Sequence, residues 1–69
     1  MSEFKPVDIL LVEDNEDDII IIKRVFEKLK LVNKLYIVRD GQEAVDFVFK
    51  KGEFAGFPTP GLILLDINM

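Results

Sequence analysis

The stretch Ile9-Leu10-Leu11-Val12-Glu13-Asp14-Asn15-Glu16-Asp17-Asp18 decides the fold. Four aliphatic residues in a row, with no polar alternation, read as a short strand buried on both faces, the kind found inside parallel sheets. Val7 extends that strand to Val7–Val12, interrupted by Asp8 alone. Glu13-Asp14-Asn15 then forms a turn, and Asn15 with Asp18 three residues on has the pattern of a helix N-cap with an acidic partner. Glu16, Asp17 and Asp18 put negative charge where the helix dipole is positive.

The segment that follows is expected to be helical to about Lys30. Ile19, Ile22, Phe26 and Leu29 form one apolar stripe with Val25 beside them, while Lys23, Arg24, Glu27 and Lys28 fill the other side. Ile20 and Ile21 widen the stripe and are expected to serve the core. Leu35–Val38 is a second short strand, entered through Asn33-Lys34. Asp40 and Glu43 then stand as N-cap and N3 residue of a second helix that ends near Gly52. Gly56, Pro58, Pro60 and Gly61 make the stretch 52–61 a loop. Leu62–Ile67 is a third strand, again with an uninterrupted aliphatic run that reads as buried.

The order β-α-β-α-β, without internal repeats, implies an α/β chain with a parallel sheet. Right-handed crossovers, with a reversal after the second strand, give the sheet order 2-1-3. Strands one and three then flank a topological switch point, where ligands of open α/β sheets bind outside the carboxyl ends. Glu13, Asp14 and Asp66 follow those strands. Carboxylates beside an apolar core are costly unless a cation lies between them. Mg2+ takes one or two carboxylates plus waters and phosphate oxygens, so the expected site is a magnesium and phosphoryl site. Asp66 is the candidate nucleophile, and Asn68 can lend its backbone carbonyl as a further ligand. The competing reading makes Asp14 or Asn15 a simple helix cap. Asp40 reads as a cap, and Lys50-Lys51 as a solvated helix end.

Composition narrows the classes further. The 69 residues make at most one small domain; 49% are hydrophobic and six are Phe, more apolar content than so short a chain readily buries. There is no Cys and no His, which removes disulfides, thiolate sites and histidine-based triads or metal sites. A net charge of −4 with no basic cluster argues against nucleic-acid binding. No apolar run is long enough to span a membrane, and the polar start Met1-Ser2-Glu3 is no signal peptide, so the expected setting is cytoplasmic and soluble.

Three strings, ILLVEDNEDD (9–18), VRDGQEAVDF (38–47) and LILLDINM (62–69), together resemble the first three strands of a response-regulator receiver domain, the CheY-like phosphoacceptor of two-component signal transduction. The stretch KKGEFAGFPTPGLILLDIN (50–68) most resembles single-domain regulators paired with phytochrome-type kinases. The resemblance implies a flavodoxin-like fold, with Asp66 as phosphoacceptor, Asp14 as direct metal ligand, Glu13 as the acidic position that reaches the metal through water, and Asn68 as the carbonyl ligand. It implies Mg2+-dependent phosphoryl transfer to Asp66 from a histidine kinase, in a phosphoacceptor protein rather than an enzyme. A full receiver has five strands and five helices, so residues 1–69 are expected to be its N-terminal half, without the family's later hydroxyl, Lys and switch aromatic. The expectation for such a half is a homodimer formed through the strand at Leu62–Ile67, with impaired or absent signalling. Two other functions stay open: a self-assembling structural half-domain with a vestigial acidic site, and a Toprim-like magnesium-dependent phosphoryl-transfer piece, against which Asn68 stands where a second Asp is expected. A nucleotide-binding domain lacks its Gly-rich loop after the first strand.

Overall fold

In the computed structural model, which describes residues 6–65, the aliphatic run becomes β1 (Ile9–Val12), and all four of its residues are buried. It is followed by α1 (Glu16–Lys28), β2 (Leu35–Val38), α2 (Gly41–Val48), one turn of 3₁₀ helix (Gly52–Phe54) and β3 (Leu62–Leu65). The three strands form one parallel sheet in the order β2-β1-β3, the order expected when the chain reverses direction after the second strand. Ile9 faces Leu35 on one side and Leu62 on the other, and Val12 faces Val38 and Leu65. The ladder is extended beyond the strands by Ile9 N–H donating to the Lys34 carbonyl (2.8 Å) and Glu13 N–H to the Val38 carbonyl (2.9 Å).

Strand alternation sorts the side chains. Leu10, Val12 and Val38 project to the face covered by α2, where Phe47 completes the buried cluster and Tyr36, Ala44, Val48 and Phe54 pack around it. Phe47 is the hub of this core. Its ring lies 5.5 Å from Tyr36, 5.5 Å from Phe54 and 5.4 Å from Phe57, stacked on the last at 14°. The segment after α2, expected as plain loop, folds into the 3₁₀ turn because Phe54 and Phe57 are drawn onto Phe47. Leu35 points to the opposite face, where it lines a cavity of about 360 Å³ with Phe26, Lys23 and Glu27 of α1. The two helices therefore cover opposite sides of the sheet.

Both helices end in the same motif. At the end of α1, Lys30 N–H donates to the Glu27 carbonyl and Leu31 N–H to the Phe26 carbonyl, both at 3.0 Å. At the end of α2, Lys50 N–H donates to Phe47 (3.2 Å) and Lys51 N–H to Asp46 (2.8 Å). These are Schellman pairs, which need a left-handed residue just past the cap. Lysine fills that position twice, with φ of 53° at Lys30 and 58° at Lys50. The reversal of φ is why α1 stops at Lys28 rather than reaching Lys30.

Three expectations are corrected. β1 begins at Ile9, not Val7, because Val7 instead offers its carbonyl to the Asn33 side-chain amide (2.9 Å). Within α1 only Ile19 is buried; Ile20 and Ile21 are exposed, on the solvent side of the stripe. β3 is parallel, as expected, yet Leu62, Ile63 and Leu65 are exposed, Leu65 at 69%. Its backbone pairs with β1 alone, so among the described residues no strand pairs with its outer edge. Residue 67, the expected end of this strand, lies outside the described residues.

Candidate functional site

The carboxyl edge of the sheet is built from the turns that leave β1 and β2. Glu13 continues the ladder through its bond to the Val38 carbonyl, so its backbone is held in line with β1. Its side chain is only 3% exposed, and Oε2 accepts a hydrogen bond from the Asn15 N–H at 3.1 Å. A buried carboxylate requires such partners, because desolvation without them is costly. Asp14, the next residue, is exposed and open to an incoming ion.

Asn15 caps α1 as its residue type predicts, with Oδ1 accepting from the N–H groups of Asp17 (2.9 Å) and Asp18 (3.2 Å). The reciprocal half of the cap differs from the sequence expectation. Glu13, rather than Asp18, takes the Asn15 N–H, so the turn is tied from its upstream side. At α2, Asp40 Oδ1 accepts from Glu43 N–H (2.8 Å), and Glu43 Oε1 accepts from Arg39 N–H (2.7 Å). Asp40 is a cap, as read from the sequence.

Arg39 is the residue the sequence reading missed. Its guanidinium forms an ion pair with Glu16, at the first turn of α1, so one cation bridges the two turns of the acidic edge. The signal was present: between residues 13–18 and 38–43 the chain has seven carboxylates and a single basic residue.

The pairing of β1 with β3 brings the first and last extended segments side by side, with Val12 opposite Leu65. Glu13 and Asp66 each directly follow one member of that matched pair in sequence. Asp66 and Asn68 themselves lie outside the described residues. Among the described residues no group of three potential ligands is assembled, so the corner contributes two carboxylates, Glu13 and Asp14. Two hard oxygen donors from one turn, with no sulfur or imidazole, suit magnesium, which keeps most of its water and takes one or two carboxylates from protein. No helix among the described residues is long and apolar enough to cross a membrane.

No protein-family model matches the chain. It is 41% identical over 64 residues to response regulator Rcp1 of Synechocystis sp., covering 93% of this chain and 44% of that protein. Its structure superposes with a TM-score of 0.87 on a response regulator in red light signalling of R. palustris, RPA3017, at 32% identity and covering 94% of this chain and 47% of that one. The phosphorylated cyanobacterial phytochrome response regulator RcpA gives 0.81 and 38%, covering 94% and 46%. The chain thus spans about half the length of the relatives it matches.

Proposed function

We propose that the chain is part of a response-regulator receiver domain of two-component signalling, as its likeness to response regulators supports, and that its carboxyl edge takes a phosphoryl group on Asp66 in a Mg2+-dependent step. The observation that carries this reading is the register of β3 on β1, in which Val12 and Leu65 are partners and acidic residues follow both. Glu13, Asp14 and Asp66 would hold the ion through their carboxylates, and Asn68 through its backbone carbonyl. When bound, the ion neutralises charge on the transferring group. Glu13 serves from a fixed position, since its backbone is in the ladder and its carboxylate is already tied to Asn15. Asp14, exposed, is the direct ligand.

The donor is the phosphohistidine of a histidine kinase, of the phytochrome-linked type suggested by the relatives. An Asp66 carboxylate oxygen forms the bond to phosphorus as the phosphorus–nitrogen bond breaks. The imidazole nitrogen leaves with the electron pair and takes a proton, and Asp66 becomes an acyl phosphate. The setting is cytoplasmic.

The exposed aliphatic residues of β3 support a second element of the proposal. Ile63 and Leu65 line an apolar cavity of about 280 Å³ with Val45 and Val48 of α2 and Phe49 at its end, beside a strand edge that no other strand among the described residues pairs with. Such an edge is a template for another strand, and a second copy pairing through it gives a symmetric dimer.

Radiolabelling with acetyl phosphate and Mg2+ tests the first element. Label is expected on the wild type and absent from Asp66→Asn, and Asp14→Ala is expected to weaken Mg2+ binding at least tenfold by titration calorimetry. Label retained by Asp66→Asn, or unchanged affinity in Asp14→Ala, would overturn it. Sedimentation tests the dimer, which a monomer at all concentrations sinks.

A further inference from the structure

β2 ends the sheet on the side away from β3, and its outer edge offers what another strand needs. In the ladder with β1 the carbonyls of Lys34 and Val38 point inward, where they accept from the N–H groups of Ile9 and Glu13. Backbone groups alternate in direction along a strand, so the N–H and C=O of Leu35 and Ile37 point outward. No strand among the described residues pairs with them. The next outward donor, the Arg39 N–H, is taken by Glu43, so the free edge stops at Ile37. A row of unpaired backbone groups is a template for an extended chain.

Beside this edge lies a cavity of about 330 Å³, lined by Tyr36, Ile37, Phe47, Glu53, Phe54 and Phe57. Its aromatic walls brace one another, with Phe57 centred 5.6 Å from Tyr36 and 5.8 Å from Phe54. Phe47 is 1% exposed and Phe57 39%, so the cluster is closed over the core and open outward. Glu53 is the one charged residue of the lining; it is exposed and has no ion pair among the described residues. Ring faces attract a cation, and a carboxylate beside them adds to that attraction. Arginine suits such a place, since its planar guanidinium stacks on aromatic faces and its stem is apolar.

We propose that this is a peptide-docking site: an extended segment of a partner protein adds a strand to β2 through Leu35 and Ile37 and seats an arginine side chain in the cavity, against the rings and Glu53. In this mode of recognition the main-chain hydrogen bonds supply affinity and the pocket for a side chain supplies specificity. The cavity is joined to the edge through Tyr36 and Ile37, which belong to the strand itself. The site uses neither Glu13 nor Asp14 and lies at the other edge of the sheet from β3, so it stands independently of the phosphoacceptor reading.

The probe is a capped seven-residue peptide with threonine at the odd positions, valine at the second and sixth, and arginine at the fourth. Its binding to the full chain is read by fluorescence anisotropy. Saturable binding is expected, roughly fivefold or more weaker when glutamine replaces the arginine. Glu53→Gln, with its fold checked by circular dichroism, should weaken the arginine peptide roughly two- to fivefold and leave the glutamine peptide unchanged. That difference should shrink at high salt. Strand addition engages every second amide of the peptide, so N-methylation of one alternating set should abolish binding while methylation of the other set preserves it. Arginine amide alone probes the cavity without the strand and should bind far more weakly than the peptide. Four results overturn the proposal: no saturable binding, equal affinity of the arginine and glutamine peptides, indifference to Glu53→Gln, or both methylated sets behaving alike. Arginine amide that matches the peptide overturns it too, because the edge then contributes nothing.

Discussion

Replacing Lys30 or Lys50 by glycine should give a more stable chain than replacing the same residue by alanine, although both substitutions remove a side chain and a charge. Both residues occupy the left-handed position of a Schellman motif, at φ of 53° and 58°. There a Cβ crowds the following carbonyl, at a cost of roughly 1–2 kcal/mol that glycine does not incur. Glycine also loosens the unfolded chain, which takes back about 0.4–1 kcal/mol. Loss of a cation near a helix C-terminus costs about 0.3–1 kcal/mol more at low ionic strength. Comparison with alanine at the same position separates these terms, because Lys→Ala loses the charge and keeps the strain. The glycine chain is expected to exceed the alanine chain by about 0.5–1 kcal/mol at each site. For 69 residues the unfolding entropy is about 0.14 kcal/mol/K, so the difference is roughly 4–7 °C in Tm. The two sites terminate different helices and should add. Melts followed at 222 nm, with urea titrations beside them, read the effect. Glycine chains no more stable than their alanine counterparts would refute the assignment of strained helix ends.

Other perturbations test the core and the turns. Phe47→Ala empties the centre of the aromatic cluster, where the side chain is 1% exposed, and should cost about 3–5 kcal/mol, comparable to the whole stability of so small a core; a chain that keeps a cooperative melt would contradict this, whereas Phe47→Leu should keep one. Gly61→Ala places a Cβ 2.6 Å from the Val7 Cβ and should destabilise by about 1–3 kcal/mol, partly recovered by Val7→Gly. Asn15→Ala loses the bonds to Asp17 and Asp18 and should cost about 1 kcal/mol in urea titration, while its N–H still reaches Glu13; a loss of several kcal/mol would mean the side chain does more than cap α1.

The parts of this fold legible in the sequence are those fixed by local rules. The unbroken run Ile9–Val12 announced a strand buried on both faces, and the alternation of strands and helices led to the order 2-1-3 that the pairing has. Asn15 and Asp40 announced helix starts because short polar side chains there satisfy free backbone donors. What was not legible depends on residues distant in sequence. Glu13 rather than Asp18 completes the Asn15 cap because β2 holds the Glu13 backbone, a constraint no local pattern contains. The pairing of Arg39 with Glu16 joins turns that only the sheet brings together. β3 is as wholly aliphatic as β1 but is largely exposed, since burial is decided by what lies on the far side of a strand. At the site, the corner of Glu13 and Asp14 and its neighbourhood with β3 were readable; the roles of Asp66 and Asn68 rest on sequence position and resemblance.

The central place of β1 has a consequence for how the molecule comes into being. Of the three described strands, β1 is synthesised before the other two, and both of them must find it. β2 reaches it after a short excursion through α1, whereas β3 pairs with the same residues across roughly twice the sequence separation. Doubling a loop adds only about 0.6 kcal/mol of closure entropy, so thermodynamics tolerates the detour. Kinetics is less forgiving, since non-local pairing is the slow part of acquiring a sheet. During vectorial synthesis one flank of β1 therefore stays bare until β3 arrives, and that interval is when a nascent chain of this design most needs protection from its neighbours.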